Sequence, residues 1–212
     1  MTSPTPQTGT RPRSLLRSLV PADFLTLGNA ACGTGAIFCC LNYLEAAHRA
    51  GPLAGAFVLL PAALVLDVAD GMLARGSHRS SPFGADLDSL ADVISFGVAP
   101  AVLGFTLGMR GLWDALVLCA FVCCGVGRLA RFNVTAAALA DASGKVRYYE
   151  GTPIPTSLAL VAVLGVAWWQ GAVGDALWLG RLQVGPGTFH PLVLLYAASG
   201  AAMVSRLRVP KP

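Results

Sequence analysis

The stretch that decides the fold runs from Asp67 to Asp92, DVADGMLARGSHRSSPFGADLDSLAD. It holds five of the chain's 11 acidic residues, Asp67, Asp70, Asp86, Asp88 and Asp92, at the junction of two apolar segments. Asp67, Asp70, Gly71 and Ala74 follow i, i+3, i+4, i+7 spacing, which puts them on one helix face. Gly84, Asp88 and Asp92 follow i, i+4, i+8, again a single stripe. Asp86 lies about 200° around the helix from Asp88 and reads as a bystander near the loop. Two neighbouring helices are thus each expected to present two carboxylates beside small residues.

The rest of the chain says that these helices lie in a membrane. Of 212 residues, 55% are hydrophobic and 12% charged, and the mean hydropathy is +0.63. A soluble domain carries about twice that share of charge, and disorder requires the opposite balance. Apolar segments at about 24–43, 51–74, 84–107, 112–133, 153–173 and 189–205 predict an all-α integral membrane protein with six transmembrane helices. A basic arm, 1–22, precedes the 23–206 helical domain, and a short basic tail, 207–212, follows; the arm lacks the apolar core of a cleaved signal.

With six spans, one side collects twelve of the 15 Lys and Arg, and the other only Arg49, Arg110 and Arg181. That asymmetry places both termini in the cytoplasm. It also makes nucleic acid an unneeded explanation of the +4 formal charge. Six cysteines in apolar stretches, without C-x-x-C spacing, are expected to be reduced and buried. His48, His78 and His190 are too scattered for a shared metal site. The four tryptophans, Trp113, Trp168, Trp169 and Trp178, sit near helix ends, as interface anchors do.

Burying an ionised carboxylate costs about 3 kcal/mol even on lenient insertion scales, so the acids need partners. Arg75 and Arg79 are the nearest basic residues in sequence, too few for the quartet. Hard oxygen donors without His or Cys favour Mg²⁺ or Mn²⁺, and two such ions would suit phosphoryl transfer. Two other readings stay open at this point: small-residue packing around a wet cavity, and an ion or proton transport pathway.

The same stretch matches D-x-x-D-G-x-x-A-R, eight residues, then G-x-x-x-D-x-x-x-D, and so resembles the signature of the CDP-alcohol phosphatidyltransferases. Three further runs, TLGNAACGTGAIF (Thr26 to Phe38), GRLARFNV (Gly127 to Val134) and EGTPIPTS (Glu150 to Ser157), resemble its phosphatidylserine synthase branch. The resemblance implies transfer of a phosphatidyl group from CDP-diacylglycerol to L-serine in the inner (plasma) membrane. A sister acceptor such as glycerol 3-phosphate, inositol phosphate or choline is the alternative. It further implies that Asp67, Asp70, Asp88 and Asp92 hold the ions, with Asp92 also the general base, and that Gly71, Ala74, Arg75, Ser81 and Gly84 border the CDP moiety.

Asn29 either contacts the donor or bonds between helices, the second reading being favoured. Arg128, Arg131 and Asn133 either receive the serine carboxylate or anchor the fourth helix at the membrane surface. Pro153 and Pro155 are expected to start the fifth helix. A homodimer is implied by the resemblance, with Gly104 and Gly108 as a faint packing signal.

Overall fold

The first helix, α1 (Pro21–Glu45), buries Asp23, Thr26, Asn29, Gly33, Ala36, Cys40 and Tyr43, a stripe repeating every three to four residues. Its other faces expose Phe24, Leu27, Phe38 and Leu41, the arrangement expected when hydrocarbon is the solvent. The computed structural model to which this helix belongs describes residues 21–45, 50–77, 82–140, 148–205 and 208–210, the side chains of 50, 74–77, 82, 136–140, 148–150 and 208–210 excepted.

Helix α2 (Ala50–Ser77) runs antiparallel to α1. Small residues let the two approach: a Cβ on Gly35 would stand 3.2 Å from Leu59, and one on Gly55 would stand 2.9 Å from Cys39 Sγ. The third apolar segment is the most enclosed span, 67% buried. It is also discontinuous in its winding, with α3 (Pro82–Asp92), a wide π turn (Val93–Val98) and α4 (Ala99–Leu107). Pro100 has no N–H to offer the carbonyl four residues back, which removes one regular helical bond where the wide turn ends. Helix α5 (Leu112–Ala140) follows, then α6 (Leu158–Trp169) and α7 (Leu194–Val204), each of these last two entered through one 3₁₀ turn.

The described residues form apolar helices within each of the six apolar segments read from the sequence. Four are long and apolar enough to cross a membrane, while Ile154–Trp169 and Pro191–Val204 are shorter. At about 1.5 Å per residue these two reach about 24 and 21 Å, against about 30 Å of hydrocarbon. Helix α5 continues past the expected end at 133, and α1 begins inside the expected arm, at Pro21. Two small antiparallel pairings were not anticipated: β1 (Tyr148–Glu150) with β4 (Arg208–Pro210), and the hairpin β2 (Leu182–Val184) and β3 (Gly187–Phe189).

The carboxylates gather at one end of the bundle, and the β2–β3 hairpin closes the other. There Asp114, fully buried, accepts hydrogen bonds from Gly111 N (2.9 Å) and His190 N (2.8 Å) and pairs with His190 Nδ1 (2.6 Å). The Gly111 bond is half of a capping box at the start of α5. The His190 bonds tie that start to the lead-in of α7. Trp113 Nε1 donates to Val184 O (2.8 Å) beside it.

Two expectations fail here. All six cysteines are free, but only Cys40 is buried, and Cys119 and Cys123 are exposed. In a membrane helix an apolar neighbourhood faces lipid as readily as core, so burial does not follow from it. Gly104 and Gly108 do not form an outer packing face. A Cβ on Gly104 would meet Tyr196 Oη at 2.8 Å, and Gly108, at φ +138°, lies against Gly174. Of the tryptophans, Trp169 is exposed at a helix end, whereas Trp168 stacks on Phe57 at 5.2 Å.

Candidate active site

Asp67 on α2 and Asp88 and Asp92 on α3 each place one carboxylate oxygen within 4.8 Å of the other two. Asp67 and Asp88 are half-buried, and Asp92 is 6% exposed. Helical spacing carries this arrangement. Asp88 and Asp92 stand one turn apart on α3, and α2 delivers Asp67 to the same level. Oxygens on opposite sides of a Mg²⁺ ion are about 4.2 Å apart, so the spread and the all-oxygen chemistry of this trio fit one hard divalent cation.

Asp70 is not one of the three. Its carboxylate is buried and accepts a hydrogen bond from the Thr26 hydroxyl of α1. Asn29, one turn further along α1, donates from Nδ2 to Asp92 Oδ1 (3.2 Å). The interhelical reading of Asn29 is the geometry present. Its other polar atom, Oδ1, is buried and has no partner among the described residues. The backbone is locked alongside, because Ser95 Oγ donates to Asn29 O at 2.8 Å.

Beside the trio opens a cleft of about 280 Å³ lined by Ala85, Asp88, Ser89, Asp92, Arg128, Leu129, Phe132, Asn133, Pro153 and Pro155. Arg128 is 9% exposed, with its guanidinium 5.5 Å from the Phe132 ring centroid. Asn133 and Ser89 form a reciprocal pair: Ser89 Oγ donates to Asn133 Oδ1 (3.2 Å) and accepts from Asn133 Nδ2 (3.0 Å). Asp86 is exposed, away from the trio, but is not a mere bystander, since Asn133 Nδ2 also reaches its Oδ1 at 3.5 Å.

The fold thus brings Arg128 and Asn133 to the carboxylates and leaves Arg131 outside the cleft lining. Among the described residues that line this cleft, Arg128 is the basic one. It lies 36 positions beyond Asp92 in the sequence, a distance only helix packing could close. Pro153 and Pro155 start the 3₁₀ turn before α6 and also line the cleft. A Cβ on Gly71 would meet nothing within 4 Å, so open space adjoins the α2 acids. Ser81 and Arg79, and the side chains of Ala74 and Arg75, lie outside the described residues. Sequence reading missed Thr26 and Ser89. Thr26 could have been found from its i, i+3 relation to Asn29, whereas Ser89 carried no signal.

The family model for CDP-alcohol phosphatidyltransferase matches residues 19–188. Among curated relatives, the CDP-diacylglycerol–serine O-phosphatidyltransferase of Saccharomyces cerevisiae is 39% identical over 94% of this chain and 73% of its own. The enzyme of the same name from Bacillus subtilis is 28% identical over 88% of this chain and 87% of its own. The archaetidylserine synthase of Methanothermobacter thermautotrophicus is 34% identical over 66% of this chain and 55% of its own. The matched span contains the carboxylate trio, both α1 side chains that hold the acids, and the whole cleft, and on that basis the chain belongs to the CDP-alcohol phosphatidyltransferase family.

Proposed function

We propose that this chain is a membrane phosphatidyltransferase that transfers the phosphatidyl group of CDP-diacylglycerol to the hydroxyl of L-serine, giving phosphatidylserine and CMP. The observation that carries the choice of acceptor is the cleft beside the trio. Among its described lining residues Arg128 is the one basic group. One guanidinium matches one carboxylate, by bidentate charge-assisted hydrogen bonds. A phosphorylated acceptor would require more positive charge. The similarity to relatives named for serine transfer supports the same reading.

In this reading Asp67, Asp88 and Asp92, with Asp70 behind them, hold Mg²⁺ or Mn²⁺, two ions being the expected number. Such ions, when bound, neutralise charge on the pyrophosphate and ease departure of CMP. Gly71, Ala74, Arg75, Ser81 and Gly84 border the CDP moiety. Arg128 orients serine by its carboxylate, Asn133 and Ser89 lie alongside, and Asp92 takes the proton from the serine hydroxyl. The serine oxygen forms its bond to the β-phosphorus as the bond from that phosphorus to the CMP oxygen breaks. The short helices α6 and α7 complete six spans, with both termini and the carboxylate end at the cytoplasmic face of the plasma membrane. The protein works as a homodimer.

An acceptor screen in nanodiscs tests this. CMP release from CDP-diacylglycerol should require serine and a divalent cation. Release with glycerol 3-phosphate, inositol phosphate or choline, but not with serine, would overturn the assignment.

A further inference from the structure

The two catalytic helices are not held at the acids by each other alone; both are gripped by α1. Thr26 and Asn29 stand at i and i+3, on the stripe that α1 buries. The Thr26 hydroxyl bonds Asp70 of α2, and Asn29 Nδ2 bonds Asp92 of α3 at 3.2 Å. One helical turn of α1 therefore forms a two-pronged fork, with one prong on a signature carboxylate from each helix. The fork is anchored in depth, because Ser95 Oγ bonds Asn29 O, and a Cβ on Gly33 would stand 2.7 Å from Ser95 Cα.

We infer that Thr26 and Asn29 are positioning residues that set the separation and orientation of the α2 and α3 carboxylates, and so set the divalent-cation affinity of the site. This rests on the reading of the trio as a cation site. Each hydrogen bond holds one oxygen of its carboxylate to α1 and so fixes how that carboxylate is turned. Partners that orient ligands in this way change affinity by about 10 to 100-fold when removed. The unpartnered Oδ1 of Asn29, fully buried, is a second observation pointing to a ligand. A buried acceptor without a donor is costly, and a water or substrate donor at the loaded site would satisfy it.

The test measures Mn²⁺ binding directly, by electron paramagnetic resonance of free Mn²⁺ titrated with purified protein, alongside melting of the metal-free protein. Thr26→Val keeps the shape and removes the hydroxyl; Asn29→Ala removes both amide functions. Each should raise the Kd for Mn²⁺ about tenfold or more, while Thr26→Ser should restore it to within about twofold of wild type. Unchanged Kd in folded Thr26→Val and Asn29→Ala overturns the fork. So does a Kd loss in Thr26→Val that Thr26→Ser fails to recover. If Thr26→Val does not fold, Asn29→Ala and Thr26→Ser decide the matter. Wild-type protein that binds no Mn²⁺ removes the cation reading and the fork together, whereas binding with unchanged variants removes the fork alone.

Discussion

Replacing Gly33 with alanine strikes the contact on which the site's alignment depends. The new Cβ would lie 2.7 Å from Ser95 Cα, about 0.7 Å inside ordinary contact, and closer still to Ser95 Oγ. The obstacle is backbone, so no rotamer change relieves it. Either α1 or the wide turn after Asp92 must move. Overpacking of this kind costs about 1–3 kcal/mol, offset by about 1 kcal/mol because alanine favours a helix over glycine. At about 2–4 °C per kcal/mol for a chain of this size, melting should fall by a few degrees. The effect on turnover should be larger. Ser95 is three residues after Asp92, and Asn29 is four before Gly33, so the same displacement stretches the 3.2 Å Asn29–Asp92 bond beyond useful range. Misplacing a reacting group by about 1 Å costs up to about 100-fold, so a fall in kcat of about tenfold or more is expected, measured as CMP release. Adding Ser95→Ala removes the Oγ but not the Cα obstruction, and should recover only part of the loss. Gly51→Ala, whose Cβ would meet nothing within 4 Å, is the matched control. A Gly33→Ala protein with wild-type melting and wild-type kcat would refute the close approach and the alignment built on it.

Three other outcomes follow from the same geometry. Asp92→Asn should abolish CMP release while melting stays near that of wild type; near-normal turnover would remove Asp92 as the base. Arg128→Ala should raise the KM for serine by about 10 to 100-fold, the loss expected for a charged hydrogen bond, and an unchanged KM would reduce Arg128 to a packing role. Asp114→Ala strands the N–H groups of Gly111 and His190 and should lower stability by about 3 kcal/mol. Because Asp114 lies at the end away from the acids, the turnover of the folded fraction should persist; melting equal to wild type would refute the clamp.

How the bundle ends are used explains why only part of the site could be read in advance. Near the acids, side chains of α3 and α5 line a cleft, and α1 side chains hold Asp70 and Asp92. At the other end, Asp114 and His190 spend their polar groups on one another and on the backbone, which ties α5 to α7. Both ends contain buried aspartates, but among the described residues only one end brings three carboxylates within 4.8 Å of one another. The signature spacing pointed to the first end, while the role of Asp114 depended on His190, 76 positions away.

Local periodicity was enough to set a mostly helical, apolar chain, the helical faces of Asp67, Asp70, Asp88 and Asp92, and the family signature. These depend on residues within a turn or two of one another, where helical geometry converts spacing directly into direction. Tertiary packing decided everything that joins distant segments. It separated Asp70 from the other three acids by giving it Thr26, and it brought Arg128 rather than Arg131 to the cleft. It turned Asn133 toward Ser89 and Asp86, and it buried Gly104 against Tyr196 inside the bundle. Spacing along one helix says which way a side chain points, but what it meets there depends on the register between helices. Here that register is set by glycines whose missing side chains let backbones approach, a property visible only once both helices are in place.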